Sequence, residues 1–187
     1  LVGATKAREL LVKTSLEYLD SLAADAGNDA SLQSEVASAY EKIGDVQGNH
    51  LFSNLGRPRD SLESYGKAVA IAQRLGASEP ALELVARSYY KLGYIYNFAL
   101  GRPSDAEAKM RLAIRLADSI PAKTSAPAYR VRVEANGMLG EIEMYRNPSA
   151  ALDPLRRSLQ ISRDWAAALP NSETKYLVST AMSRLGV

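Results

Sequence analysis

Any chemistry in this chain would have to be assembled from a narrow stock of groups. Cysteine is absent and His50 is the only histidine. Thiolate chemistry, disulfides and Cys-ligated zinc are therefore excluded, and no multi-histidine metal site or Ser-His-Asp arrangement can be built on a single imidazole without companions. His50, beside Leu51 and Phe52, reads as a structural or exposed side chain. Carboxylates are plentiful, and Asp105/Glu107 and Glu141/Glu143 are the closest pairs on helical stretches. At spacing i, i+2 the two members point to different faces of a helix, so they do not converge as acid and base and read as solvated charge. No catalytic set, metal or cofactor is expected.

The residue types that do gather suit non-covalent recognition. Arg87, Tyr90, Lys91, Tyr94, Asn97 and Phe98 fall along one helical side, and Tyr and Arg are the side chains that most often anchor protein interfaces. Ordinary packing between helices would use several of them equally well, and the sequence leaves both readings open.

The elements that must position them show in the repeat pattern. Ser61-Tyr65-Ala68-Ile71, Ala106-Met110-Ala113-Leu116 and Ala151-Leu155-Ser158-Ile161 share one internal spacing, and successive sets lie 45 residues apart. An upstream set, Val12-Leu16-Leu19-Leu22, has the same form. Steps of 4, 3 and 3 place each set on one face of an amphipathic helix. Preceding each set is a helix with a large residue, an aliphatic one and Gly: Tyr40-Ile43-Gly44, Tyr89-Leu92-Gly93, Asn136-Leu139-Gly140 and, last, Met182-Leu185-Gly186. Each unit thus pairs a first helix carrying that triplet with a second helix carrying the small-large-small-aliphatic set.

Glycine inside a helix costs about 1 kcal/mol relative to Ala, so its recurrence at one phase needs a cause. Close approach of the two helices of a unit is the expected one; the alternative is that each Leu-Gly ends a helix. Around Gly140 the run Glu141 to Arg146 continues as a helix former, which favours close approach. Gly56-Arg57-Pro58, Gly101-Arg102-Pro103 and Asn147-Pro148 mark turns within units, and Ser104-Asp105-Ala106-Glu107 has the form of a capping box. Pro154 falls inside the third second-helix and is expected to begin or bend it. The connection Gly48 to Gly56 is longer than its counterpart in the next unit, and either folds against a neighbouring unit or projects as a contact loop.

Composition sets the remaining bounds. With 23 Lys and Arg against 21 Asp and Glu, and no long run of either sign, no nucleic-acid partner is expected. Apolar runs fall far short of the roughly 20 residues that cross a bilayer, so no direct membrane insertion is expected. The chain opens at Leu1-Val2-Gly3 without an initiator Met and is expected to belong to a longer polypeptide.

The aliphatic-Gly pair on the first helix and the small-large-small set on the second resemble the tetratricopeptide repeat across nearly the whole chain. The resemblance implies an all-α, right-handed α-solenoid of antiparallel helix pairs, about eight helices in one domain over 1–187. Residues 1–26 form the trailing helix of one repeat, 32–75, 80–118 and 127–166 are complete pairs, and 172–187 is the first helix of another. Units of 45 to 49 residues exceed the family's about 34, which implies longer helices or connections. In this family first helices line the concave groove, so the groove candidates are Arg87, Tyr90, Lys91, Tyr94, Asn97 and Phe98, with Asp45 and Glu141 at comparable positions beside Glu41 and Gly137. These acidic or small residues are unlike the Lys/Asn clamp by which some members hold a terminal carboxylate.

A narrower resemblance covers Leu11 to Gly56, with Leu16-Glu17-Tyr18-Leu19-Asp20-Ser21-Leu22, Ala39-Tyr40-Glu41-Lys42-Ile43-Gly44-Asp45-Val46-Gln47-Gly48-Asn49 and Asn54-Leu55-Gly56. It is similar to the repeat region of receptor-like bacterial serine/threonine kinases, notably acidobacterial ones. A Pro usually follows that Gly-Asn; here His50 does. The resemblance implies a kinase parent with this chain as its sensing or docking part, extracytoplasmic in that case and otherwise cytoplasmic. No Gly-rich phosphate loop, His-Arg-Asp or Asp-Phe-Gly occurs here. Three function classes follow: a protein-protein interaction module, a peptide-binding region of a transcriptional or signalling regulator, and, least favoured, a helical enzyme. The partner is expected to be a protein or peptide, with homo-oligomerisation through the array ends as a further possibility.

Overall fold

The computed structural model describes residues 2–49, 51, 53–121 and 125–186. His50 lies outside the described residues, as do 1, 52, 122–124 and 187.

All regular structure among the described residues is helical. The elements are α1 (Val2–Asp25), α2 (Ala30–Gly48), α3 (Pro58–Arg74), α4 (Glu79–Tyr94), α5 (Pro103–Ser119), α6 (Ala126–Arg146), α7 (Pro148–Ala168) and α8 (Ser172–Leu185), with a π-helical turn, Ile95–Ala99, extending α4. The start signals are local. Pro occupies the first turn of α3, α4, α5, α6 and α7, where its missing N–H is not needed. Asp29 accepts from the Leu32 N–H at 3.0 Å, Ser125 from Ala128 at 3.0 Å, and Asn171 forms a reciprocal capping box with Thr174.

The capping box expected at Ser104 is not formed. Pro103 starts α5 one residue earlier, which makes Ser104 helical and leaves it unable to cap; Asp105 instead pairs with Arg102 at 2.7 Å. Pro154 does not begin α7, which starts at Pro148 and carries that residue in its second turn.

Packing follows the repeat. The largest helix contacts are within α2–α3, α4–α5 and α6–α7, and the next join α3 to α4, α5 to α6 and α7 to α8. First helices also meet their successors, α2 with α4, α4 with α6 and α6 with α8, whereas the backbones of successive second helices stay farther apart. The chain is therefore a two-layer array with first helices in the tighter layer. At one end α1 packs mainly on α2 and exposes Leu10, Leu11 and Tyr18.

The repeat glycines sit where the two layers come closest. A Cβ on Gly44 would lie 2.6 Å from the Tyr65 ring, on Gly93 2.6 Å from Met110 Cε, and on Gly140 2.6 Å from Leu155 Cδ2 and 3.1 Å from the Ala151 carbonyl. Tyr65, Met110 and Leu155 are the large members of the three second-helix sets, all essentially buried. Close approach is thus the reason for three of the four glycines. Gly186 is the exception: with φ of +79° it terminates α8 in the left-handed conformation.

Gly66 supplies an internal control, since it lies in α3 with nothing within 4 Å of a Cβ placed there. Gly66→Ala should stabilise the fold by about 0.5–1 kcal/mol through helix propensity alone. Gly140→Ala should destabilise it by about 1–3 kcal/mol through overpacking. Urea denaturation of both variants measures the pair, and two shifts of the same sign would remove the packing explanation.

Candidate functional site

The first-helix layer is held sideways by a ladder of polar contacts that keeps one register. The residue three before a repeat glycine meets the residue six before the next: Glu41 takes a bidentate contact from Arg87 (2.7 and 2.6 Å), and the Tyr90 hydroxyl faces Glu134. The residue just after a repeat glycine meets the residue two before the next: Asp45 to Lys91 at 2.7 Å and Glu141 to Arg184 at 3.1 Å. Lys91 also reaches Glu41 at 3.0 Å, and the Gly137 backbone leaves room for the Arg184 side chain.

Burial gives these contacts weight. The Glu41 side chain is only 4 % exposed. Burial by itself would push its carboxyl up, but hydrogen bonds and charge from Arg87 and Lys91 outweigh it and hold the group below the usual carboxylate range. Burial likewise opposes the charge on Arg87, and Glu41 more than restores it. The Tyr65 hydroxyl donates to Asp45 at 2.6 Å and accepts from Asn49 at 3.2 Å; burial first, then the Asp45 charge, push it far above an ordinary phenol. On α1, hydrogen bonds from Lys67 and Tyr40 hold the Asp20 carboxyl below its usual range.

Against this frame the sequence candidates separate. Arg87, Lys91 and Asp45 come together, but in the internal ladder with Glu41. Tyr90 and Tyr94 are 8 % and 9 % exposed and belong to the core around Met110 and Met138, so for them the packing role is the observed one. Glu141 is committed to Arg184 and remains partly open. Asn97 is half-buried on the π-helical turn, where the Leu100 N–H reaches the Ile95 carbonyl at 3.2 Å. Phe98 is 52 % exposed and packs on Tyr94 at 4.7 Å between ring centroids.

Two clefts divide the same residues. An inner cleft of about 440 Å³ crosses the first-helix layer, where Arg87, Tyr90 and Lys91 are joined by Leu51, Arg130, Val131, Glu134 and Glu173. A second cleft of about 450 Å³ lies at the turns within units, with Phe98 and Tyr145 as walls over Ile142 and with Asn97, Glu141 and Arg146 around it. Sequence reasoning missed Leu51, Arg130 and Tyr145. Tyr145 could have been found, since it and Phe98 each lie five residues past a repeat glycine. Among the described residues no cluster of His, Asp and Glu could hold a metal ion, and no helix is long and apolar enough to cross a membrane.

The long connection folds back rather than projecting. Leu55 and Arg57 donate backbone bonds to Val46 and Gln47, Ser53 accepts from Arg8 at 3.0 Å, and Arg57 pairs with Glu9 at 2.6 Å, which ties the connection to α1. Asn49 is its pivot, accepting from the Leu51 N–H at 3.1 Å through its side chain and from Asn54 at 3.1 Å through its backbone.

No family model matches the chain, and no curated protein does. A solved chain described as the DHF79 filament is similar over 98% of this chain and 100% of its own length, at 19% identity and a TM-score of 0.37, too slight a likeness to bear on fold or function.

The lowered carboxyls make a prediction with a definite sign. Glu41 and Asp20 titrate below their unfolded values, so their stabilisation is complete above the unfolded carboxylate range and is lost as pH falls through the folded values. Melting temperature should hold from neutral pH to about pH 5 and drop below about pH 4. Glu41→Ala, which takes the bidentate partner from Arg87 and leaves Lys91 with Asp45 alone, should cost about 2–3 kcal/mol at pH 7 and flatten that drop. An acid limb unchanged in the variant would take Glu41 out of the ladder's energetics.

Proposed function

We propose that this chain is a protein-interaction module, a right-handed α-solenoid of tetratricopeptide type whose first-helix layer receives a segment of a partner protein. The observation that carries the reading is the inner cleft. It combines an apolar floor with charged side chains supplied by α4, α6 and α8, on the layer whose helices touch one another. A tighter inner layer is what a curved two-layer array needs on its concave side, because the layer of smaller radius has less length per unit. The close fit of Gly44, Gly93 and Gly140 against the second-helix sets supports the repeat type. The charged groups at the inner cleft are held in ion pairs such as Arg130 with Glu173 and Arg87 with Glu41, an arrangement that suits non-covalent recognition.

The resemblance of residues 11–56 supports a narrower reading, in which the module is the non-catalytic docking region of a membrane-associated bacterial serine/threonine kinase. The complete reading frame tests it: a kinase domain with a membrane helix is expected, and a DNA-binding domain in their place would favour the regulator reading.

A binding test must spare the ladder and the core, which excludes Tyr90 and Tyr94 as targets. Leu51 is 54 % exposed and can be altered without unmaking the fold. A random-peptide display library selected on the full chain should yield binders that Leu51→Asp weakens by about tenfold or more, with the thermal melt unchanged. Binders indifferent to Leu51→Asp but lost with Phe98→Asp would move the site to the turn cleft.

A further inference from the structure

We infer that the inner cleft takes an acidic segment, an aliphatic side chain against Leu51 and Val131 with carboxylates meeting Arg87 and Arg130. This rests on the inner face being the binding surface and adds the partner's charge.

The argument comes from how the ion pairs are oriented. The acids that neutralise Arg87 and Lys91 are Glu41 and Asp45, whose side chains are 4 % and 17 % exposed. They belong to α2 and do not line the cleft, which sees the cationic members of those pairs. Arg87 spends Nε and Nη2 on Glu41 and makes no bond through Nη1 among the described residues. Arg130, half exposed, spends Nε and Nη2 on Glu173 and holds Nη1 at 3.9 Å from Glu134, beyond hydrogen-bond reach. Three cations therefore face two carboxylates across the cleft, with guanidinium N–H groups to spare. The first residues of α6, Ala126 and Pro127, also border it.

A basic segment would meet like charge from Arg87, Lys91 and Arg130, with only Glu134 and Glu173, both already beside Arg130, to attract it. An acidic one would find unspent donors, and partly desolvated charge-assisted hydrogen bonds are stronger than neutral ones. Exposed Leu51 and the Val131 floor give the apolar contact that fixes position. The turn cleft offers no such preference, because Glu141 and Arg146 stand on its rim with opposite signs.

The test uses the full chain and three short fluorescein-labelled Gly/Ser peptides with a central Leu pair flanked by Asp, by Ser or by Lys, read by fluorescence anisotropy. The Asp peptide should bind about tenfold tighter than the other two, and the gap should shrink as NaCl is raised well above about 0.15 M. Arg130→Gln should narrow the gap, and Leu51→Asp should abolish binding of the Asp peptide while the melting curve holds. Equal affinities, preference for the Lys peptide, no binding of the Asp peptide, or a gap indifferent to salt and to Arg130→Gln would each overturn the assignment. Library binders that depend on Leu51 but carry no excess of Asp or Glu would overturn it too, while leaving the inner face as the binding surface. Binders that ignore Leu51 would remove both.

Discussion

The structure depends on how closely the two helices of each unit approach at Gly44, Gly93 and Gly140. A side chain at any of these positions would collide with Tyr65, Met110 or Leu155, so the absence of a Cβ sets the spacing of the pair. That spacing fixes the depth at which the large residue of the second helix is seated. In the first unit it also allows the Ser61 hydroxyl to donate to the Gly44 carbonyl at 2.7 Å, so that the hydroxyl of this small residue is satisfied inside the core. Because the contact recurs at nearly one period, the units present the same faces to one another, and contacts between units inherit the same register.

The lateral ladder is the consequence. Contacts such as Glu41–Arg87 and Asp45–Lys91 join residues 46 apart in sequence, and Glu141–Arg184 residues 43 apart. They form because the repeat brings the flanks of successive first helices side by side. Their chemistry differs from rung to rung: ion pairs join α2 to α4, Tyr90 and Glu134 join α4 to α6, and ion pairs again join α6 to α8. A buried ion pair carries a desolvation cost that a hydrophobic pair would not, so its advantage lies in accepting one geometry and rejecting a slipped one. Here a slip of one helical turn would set Asp45 opposite Ile95 in one direction or Lys91 opposite Asn49 in the other, each without its counter-charge, which makes the ladder a register lock as well as a bond.

The fold was largely legible because its cause is periodic. Sets such as Ser61-Tyr65-Ala68-Ile71 repeat both a spacing and a size order, and a recurrent mid-helix glycine has few physical explanations. The failures were local. Ser104 matched a capping pattern, yet Pro103 one residue earlier had already started the helix, and Gly186 matched the triplet but stops α8. The site was less legible, because residue type alone does not separate a rung from a recognition group. Arg87, Lys91 and Tyr90 are interface types by residue, and all three are used within the chain. Reading the glycines as a ruler across units, rather than each helix alone, would have paired Glu41 with Arg87 and Asp45 with Lys91 from sequence.

What the ladder consumes defines what recognition can use. A side chain whose donors or acceptors are fully engaged in a buried pair has little to offer a partner, since a new contact must first break the old one. Tyr94 in the core and the Glu41 carboxylate under Arg87 are spent in this sense. Residues at the margin of the ladder are different. The Arg87 guanidinium is anchored on one edge and open on another, so its position is fixed before a partner arrives and little side-chain entropy is lost on binding. Arg130, held by Glu173 at 2.5 Å, is preorganised in the same way. The contacts that stabilise the array therefore also orient the donors that border its inner cleft, so that the proposed binding surface and the structural ladder use the same helices without competing for the same atoms.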